Sequence, residues 1–441
     1  MKTPFPVSYA WLALAVLVNG TAILWSAEPP AAKDMAMTMI LAHEDDISPL
    51  AAAIDKLQKK VQGNPNDVRS IELLGRYFIA RARATFDPGG YKLAEMCGTV
   101  LMEKDHNSSP GLLLQGEALL AMHRFHDAES VARQLLTLRQ DMTDHALLGD
   151  ALMEQGRIDE AVQSYQTMID AKPCLASYSR VAHVRWLRGD IEGAIQMAEQ
   201  AIACGSYKDA EPMAWVTARL AFYQWQDGQL AKALVTAGRA AELVKDYPHA
   251  LYVIGRIHLA QEKPAEAVQV LGKAALKSPL PEVLWALADA CRAAGKRDQA
   301  EAAEAILLKS GAAADPRSFA LYLATRRLQP QRALALAAAE LETRKDVYSY
   351  DALAWAQHEA GQQAEAMASM ARAVAENTRD GRLYLHMGLI AGASGDSAAA
   401  SHWLDMANVM RTSLLPSELE ALDPARNPSS EPSPRPDHPP K

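Results

Sequence analysis

Two short runs in this 441-residue chain carry side chains with coordination chemistry. Met35, Met37 and Met39 alternate ahead of His43 and the acidic run Glu44-Asp45-Asp46, and thioethers are soft ligands suited to Cu(I). The competing reading is a pliant linker or part of a short helix. His123 and His126 stand three apart with His145 further on. Imidazoles bind zinc, but histidines in an exposed turn are satisfied by water alone. The four cysteines, Cys97, Cys174, Cys204 and Cys291, include no Cys-x-x-Cys pair, so neither a zinc ribbon nor a thioredoxin-like centre is supported. Cys174 and Cys204 fall at the open end of one helix pair. There an oxidising compartment would let them bridge if their Cα atoms come within about 7 Å; two free thiols are the alternative. No nucleophile elbow, phosphate loop or isolated carboxylate pair is present. The expectation is therefore no enzyme and no cofactor.

What positions these side chains is legible from spacing. Ala94, Ala128, Ala161, Ala194, Ala233, Ala267, Ala300, Ala333, Ala366 and Ala400 follow at intervals of 34, 33, 33, 39, 34, 33, 33, 33 and 34 residues. Five residues before seven of them stands a glycine: Gly89, Gly156, Gly189, Gly228, Gly295, Gly361 and Gly395. Twelve before stands a small residue after an apolar one, as in Leu148-Gly149, Ile254-Gly255 and Met387-Gly388. Each unit holds two stretches of 3.6-residue apolar periodicity joined by a short glycine turn, which is a helix hairpin. Glycine supplies the positive φ that the reversal needs, and the small residues mark where helix backbones approach. Such a hairpin cannot bury its apolar face alone, so hairpins stack and share one core.

The unit over 142–175 carries Leu148-Gly149, Leu152, Gly156, Ala161, Tyr165 and Pro173 in order. In this it resembles a tetratricopeptide repeat, with His145 where a tryptophan is usual. The resemblance runs from about Asn66 to Met410. It departs at extra residues around Arg83–Pro88, at the stretch Gly205–Ala210, and at Leu328-Gln329-Pro330, which replaces a turn glycine. The resemblance implies an all-α, right-handed superhelical solenoid of about ten helix hairpins. It also implies that the first helix of each hairpin lines a concave groove with the residues 18, 15, 11 and 8 before each ladder alanine. Those slots hold Trp186, Trp215, Phe222, Trp225, Tyr252, Trp285, Tyr322, Tyr348 and Trp355, with Arg256, Asp289, Arg292, Asp351 and His358 among them. Aromatic and Arg side chains dominate binding hot spots; the alternative is that several rings are inter-helix packing. Chaperone-binding relatives grip a terminal carboxylate with Lys and Asn at matched slots. Those residues are missing here, so an apolar or mixed peptide is expected.

Composition narrows the partner. Hydrophobic residues make up 49 % and aromatics only 6 %, which suits helices packed through Ala and Leu. The net charge of −8 without long basic blocks excludes a phosphate-binding surface, and nucleic acid with it. Lys2 precedes an apolar stretch from Val7 to Ala27, the pattern of signal peptides and membrane anchors. Residues 1–27 are therefore expected to be a cleaved signal or a retained inner-membrane tether, with the rest periplasmic or otherwise exported. Residues 28–47 read as a linker, 48–64 as an N-terminal capping helix, 65–412 as the solenoid, 413–423 as a short capping helix, and 424–441 as a disordered Pro-rich tail. Together these point to a non-catalytic scaffold of the cell envelope that binds a protein or peptide in an aromatic-lined groove. Copper handling by the methionine run and service as an accessory subunit of an envelope enzyme complex compete with it.

Overall fold

The structure is a computed structural model that describes residues 32–42 and 49–426, and every regular element among them is helical. Two helices lead, α1 (Ala32–Ile40) and α2 (Pro49–Gly63). Ten hairpins follow. The first four pair α3 (Val68–Thr85) with α4 (Gly89–Lys104), α5 (Ser109–Ala121) with α6 (Phe125–Leu138), α7 (Met142–Glu154) with α8 (Ile158–Ala171), and α9 (Leu175–Leu187) with α10 (Ile191–Ala203). The next three pair α11 (Ala210–Gln226) with α12 (Leu230–Leu243), α13 (Pro248–Ala260) with α14 (Pro264–Lys277), and α15 (Pro281–Ala293) with α16 (Arg297–Ala314). The last three pair α17 (Pro316–Thr325) with α18 (Pro330–Thr343), α19 (Val347–Glu359) with α20 (Gln363–Ala373), and α21 (Gly381–Ala393) with α22 (Ser397–Val409). A 3-10 turn, Arg411–Ser413, and α23 (Pro416–Arg426) end the described chain.

Local chemistry sets these boundaries. Asp141, Asp190, Asp346, Asp380 and Asp396 each accept a backbone N–H of the helix they precede, a cap worth about 1 kcal/mol. Proline opens α13, α14, α15, α17 and α18, where no donor is lost. All ten ladder alanines are buried, nine of them fully, so the spacing marks the shared core. A Cβ on Gly149 would lie 2.3 Å from the Tyr165 ring of the facing helix, which is why that slot is small.

Six of the seven turn glycines hold positive φ, from 71° to 87°. Gly89 does not: it is the first residue of α4, and Phe86 makes the left-handed turn instead (φ 60°). The seven extra residues there lengthen α3 and displace the reversal. Hairpins without the glycine keep the geometry with His123, Glu262, Arg327 and Gln329 at positive φ. Of the stretch expected to be a linker, residues 32–40 form α1. Ile40 is fully buried, and Gln58 Nε2 donates to the Ile40 and Ala42 carbonyls at 2.9 Å each. The targeting segment, the rest of that linker and the tail from 427 lie outside the described residues. No described helix is long and apolar enough to cross a membrane.

The hairpins stack into a right-handed superhelix, and the coil meets itself. The Lys345 N–H donates to the Glu154 carbonyl at 3.0 Å, and Arg344 pairs with the Glu154 carboxylate at 2.7 Å, tying the α18–α19 connection to the end of α7. One hairpin on, Thr378 Oγ1 donates to the Leu187 carbonyl. A Cβ on Gly156 would stand 2.2 Å from the Lys345 carbonyl oxygen, and one on Gly189 would stand 2.5 Å from that of Asn377. Gly361 and Gly395, at corresponding turns, have no such atom within 4 Å. The groove thereby becomes a channel.

Candidate functional site: a partly filled channel

The channel wall is built from the first helices of successive hairpins, as apolar-face geometry requires. At its centre is a cavity of about 400 Å³. Trp186 of α9, Trp215, Arg219, Phe222 and Trp225 of α11, and Tyr252 and Arg256 of α13 form one side. Arg317, Asp346, Tyr348, Asp380 and Arg382 face them from the returning part of the coil. Tyr348 stacks on Trp186 with centroids 5.7 Å apart and planes 15° apart, so the aromatic wall crosses the channel. Trp215 is 38 % exposed and stands at the open side.

Charge inside the channel is nearly balanced. Arg317 pairs with Asp346 at 2.6 Å, Arg344 with Glu154, and Arg382 with Glu418. Asp380 receives the Tyr348 hydroxyl at 3.2 Å, and burial raises its carboxyl above the usual range. Burial, reinforced by Arg219, pushes the His183 imidazole down to about 3, and burial with Arg219 pushes His249 to about 4. Both rings are therefore neutral at pH 7. Arg219 lies over three rings, Trp186, Phe222 and Tyr223, at 5.3, 4.6 and 4.9 Å. Among the described residues it has no carboxylate within ion-pair range.

The other stretch of the channel is filled by the chain itself. The 3-10 turn and α23 close over the last hairpin, with Leu414 and Leu422 packed on Leu385 and Leu404, and from there bend back into the channel. Trp225 Nε1 donates to the Thr412 carbonyl at 3.1 Å, and Arg256 donates to the Ser413 carbonyl. Trp285 Nε1 donates to Ser417 Oγ at 2.9 Å, and that hydroxyl donates to Asp289. Burial raises Asp289 to about 6, against the pull of the Ser417 donors and of Arg326 and Arg292.

The fourteen residues singled out for a groove therefore fall into three sets. Trp186, Trp215, Phe222, Tyr252 and Tyr348 line open volume. Trp225 and Arg256 line it too but are held by the C-terminal segment, as are Trp285 and Asp289. The remaining five do not line the cavity and are engaged between helices: Asp351 meets His386 Nδ1 at 2.7 Å. Tyr322 and Arg292 both bond Glu304 of α16, and Trp355 stacks on His358 and on His386 at 4.9 and 4.2 Å. Four channel arginines escaped the sequence reading: Arg317 and Arg344, which no slot covers, and Arg382 and Arg219. Arg382 stands 18 before Ala400, a slot the same rule covers. Arg219 stands 14 before Ala233, which no slot covers.

The coordination runs do not converge. Met35, Met37 and Met39 lie on α1, where residues two apart point to opposite sides. Met35 and Met39 are exposed while Met37 packs on the core, and His43 lies outside the described residues. His123 stacks on Phe125 and His145 meets Gln140. No group of three His, Cys, Asp or Glu among the described residues is arranged to hold a metal. Cys174 begins α9 as its N-cap, Cys204 ends α10, and both are free thiols, so no bridge joins them.

Residues 113–176, 146–211 and 252–319 match the tetratricopeptide repeat family. No curated protein matches the chain. Among solved structures, the human IFIT1 dimer with PPP-AAAA is similar at 14 % identity over 86 % of this chain and 94 % of that one, with a TM-score of 0.46. Pseudomonas aeruginosa pilF is similar at 15 % over 54 % and 99 %, TM-score 0.40, and yeast Tom70 at 14 % over 85 % and 94 %, TM-score 0.37. With ten stacked hairpins on a ladder of buried alanines, and three matching segments within them, the fold is a tetratricopeptide-repeat solenoid.

Proposed function

We propose that this protein is a non-catalytic scaffold of the cell envelope that holds a segment of a partner protein in its central channel. The observation that carries the reading is the open cavity walled by Trp186, Trp215, Phe222, Trp225, Tyr252 and Tyr348. Its volume falls in the roughly 300–1,000 Å³ range of binding pockets. Large rings with a polar edge give contact area at little entropic cost. Export rests on Lys2 and the apolar stretch from Val7 to Ala27; a reporter fused after residue 47 and active only outside the cytoplasm checks it.

The test of the channel is Trp215→Ala. The side chain lines the cavity yet is substantially exposed, so its loss leaves the fold intact. Capture of the partner should fall at least about tenfold, the effect of losing a hot-spot ring, with the melting temperature nearly unchanged. Undiminished capture would remove the channel as the binding surface.

A further inference from the structure

Three Trp–Arg couples line the channel, and in each a guanidinium lies over an indole: Arg256 over Trp225 at 4.8 Å, Arg382 over Trp285 at 5.1 Å, and Arg219 over Trp186 at 5.3 Å. In the first two, indole and guanidinium each donate to an oxygen of the C-terminal segment. Trp225 and Arg256 hold the consecutive carbonyls of Thr412 and Ser413; Trp285 and Arg382 hold Ser417 Oγ and the Glu418 carboxylate. The third couple holds nothing. Trp186 is 3 % exposed, and its buried Nε1 has no hydrogen-bond partner. Arg219 bonds only the Tyr223 hydroxyl, at 3.4 Å. A buried donor without an acceptor costs about 1–3 kcal/mol, so its retention beside open volume calls for an explanation.

The register supplies one. Trp186 and Trp225 both stand eight residues before a ladder alanine, Ala194 and Ala233. In both couples the arginine comes from the first helix of the following hairpin, Arg219 from α11 and Arg256 from α13. The indole of the vacant couple therefore repeats, one hairpin earlier, that of the receptor that already grips two consecutive backbone carbonyls, while Arg219, 14 rather than 11 before its ladder alanine, reaches the ring from one turn earlier on the following helix. We infer that Trp186 and Arg219 form a second carbonyl-binding couple, and that its ligand is a turn of a partner polypeptide presenting successive carbonyl oxygens as Thr412 and Ser413 do. This rests on the channel reading above and narrows it to one subsite and one kind of ligand atom.

The experiment uses the full chain carrying 15N-indole tryptophan and a synthetic peptide of residues 409–420. Its covalent copy already occupies the filled couples, so added peptide meets only the vacant one. Trp186→Phe assigns the Trp186 resonance. Peptide should shift that N–H downfield in a saturable way and leave the Trp225 and Trp285 resonances in place. Arg219→Gln should weaken binding about tenfold, as loss of a charge-assisted hydrogen bond does. Arg219→Lys should retain part of it, and both variants should melt like the parent. A peptide with Glu418→Gln should bind equally. The inference is overturned if the Trp225 or Trp285 resonance moves instead, if no saturable shift appears at millimolar peptide, or if Glu418→Gln abolishes binding. An unmoved Trp186 resonance with capture still lost in Trp215→Ala would end this inference and leave the channel reading standing.

Discussion

Trp225 and Trp186 occupy the same register of successive hairpins and both border the cavity, yet the indole N–H of the first is held by the chain's own Thr412 carbonyl and that of the second is unpaired. The two stretches of wall use the same chemistry, an indole edge beneath a guanidinium. The difference is the cover. Where the C-terminal segment lies, aromatic and charged side chains become core whose polar atoms are satisfied internally. Where it stops, the same kinds of residue line open volume. A tetratricopeptide groove is thus neither binding surface nor packing by residue type alone; what lies over it decides.

The sharpest way to break this contrast is to remove one arginine from each stretch. Arg382 pairs with Glu418, whose side chain is 1 % exposed. Arg382→Gln removes the cation paired with that buried carboxylate and leaves only the more distant Arg256, a loss of about 3 kcal/mol in urea unfolding. Arg219→Gln removes only ring contacts and a long hydrogen bond, and should cost less than about 1 kcal/mol. Similar losses would mean that the vacant couple is structural too.

The turn glycines give the next largest effect. Gly156→Ala meets the Lys345 carbonyl and a φ of 73°, so it should cost about 2–4 kcal/mol; Gly361→Ala, with the same strain and open space, should cost about 1 kcal/mol. Equal costs would show that the coil does not close on itself in solution.

Asp289 sharpens the filled stretch through pH. Its folded-state carboxyl is raised to about 6 from an ordinary 3.8, so its stabilising contribution is full below pH 4 and fades as pH rises through 6. Between pH 5 and 7.5 the protein should lose about 1 kcal/mol relative to Asp289→Asn. A flat difference between the two would detach Asp289 from the docked segment. The smallest effect is a gain: Glu262→Gly relieves a non-glycine φ of 57° and should raise stability by about 0.5–1 kcal/mol in thermal melts, less whatever the added freedom of the unfolded chain costs.

The hairpins were legible because their signals are local. Ladder alanines, turn glycines and first-helix slots recur within some 34 residues, and the buried ladder follows from them. The closure and the docked segment were not legible. The Trp225–Thr412, Thr378–Leu187 and Trp285–Ser417 bonds join residues 187, 191 and 132 apart, and no periodicity encodes such a meeting. Slot arithmetic therefore placed Trp215 and Trp285 on one surface. It could not tell that the first stays open while the second lies under α23. Trp355 and His358 satisfy the same arithmetic, but His386 of α21 stacks on Trp355 and closes that face. Gly89 failed for a local reason: the inserted residues moved the reversal to Phe86.

The account is tested most directly by placing a photoreactive side chain once at Trp215, beside the cavity, and once at Val235, 59 % exposed on α12. Irradiation in native extract should join the partner to the chain through position 215 and not through 235. Crosslinking through 235 with none through 215 would put the interaction on the outer face and contradict it.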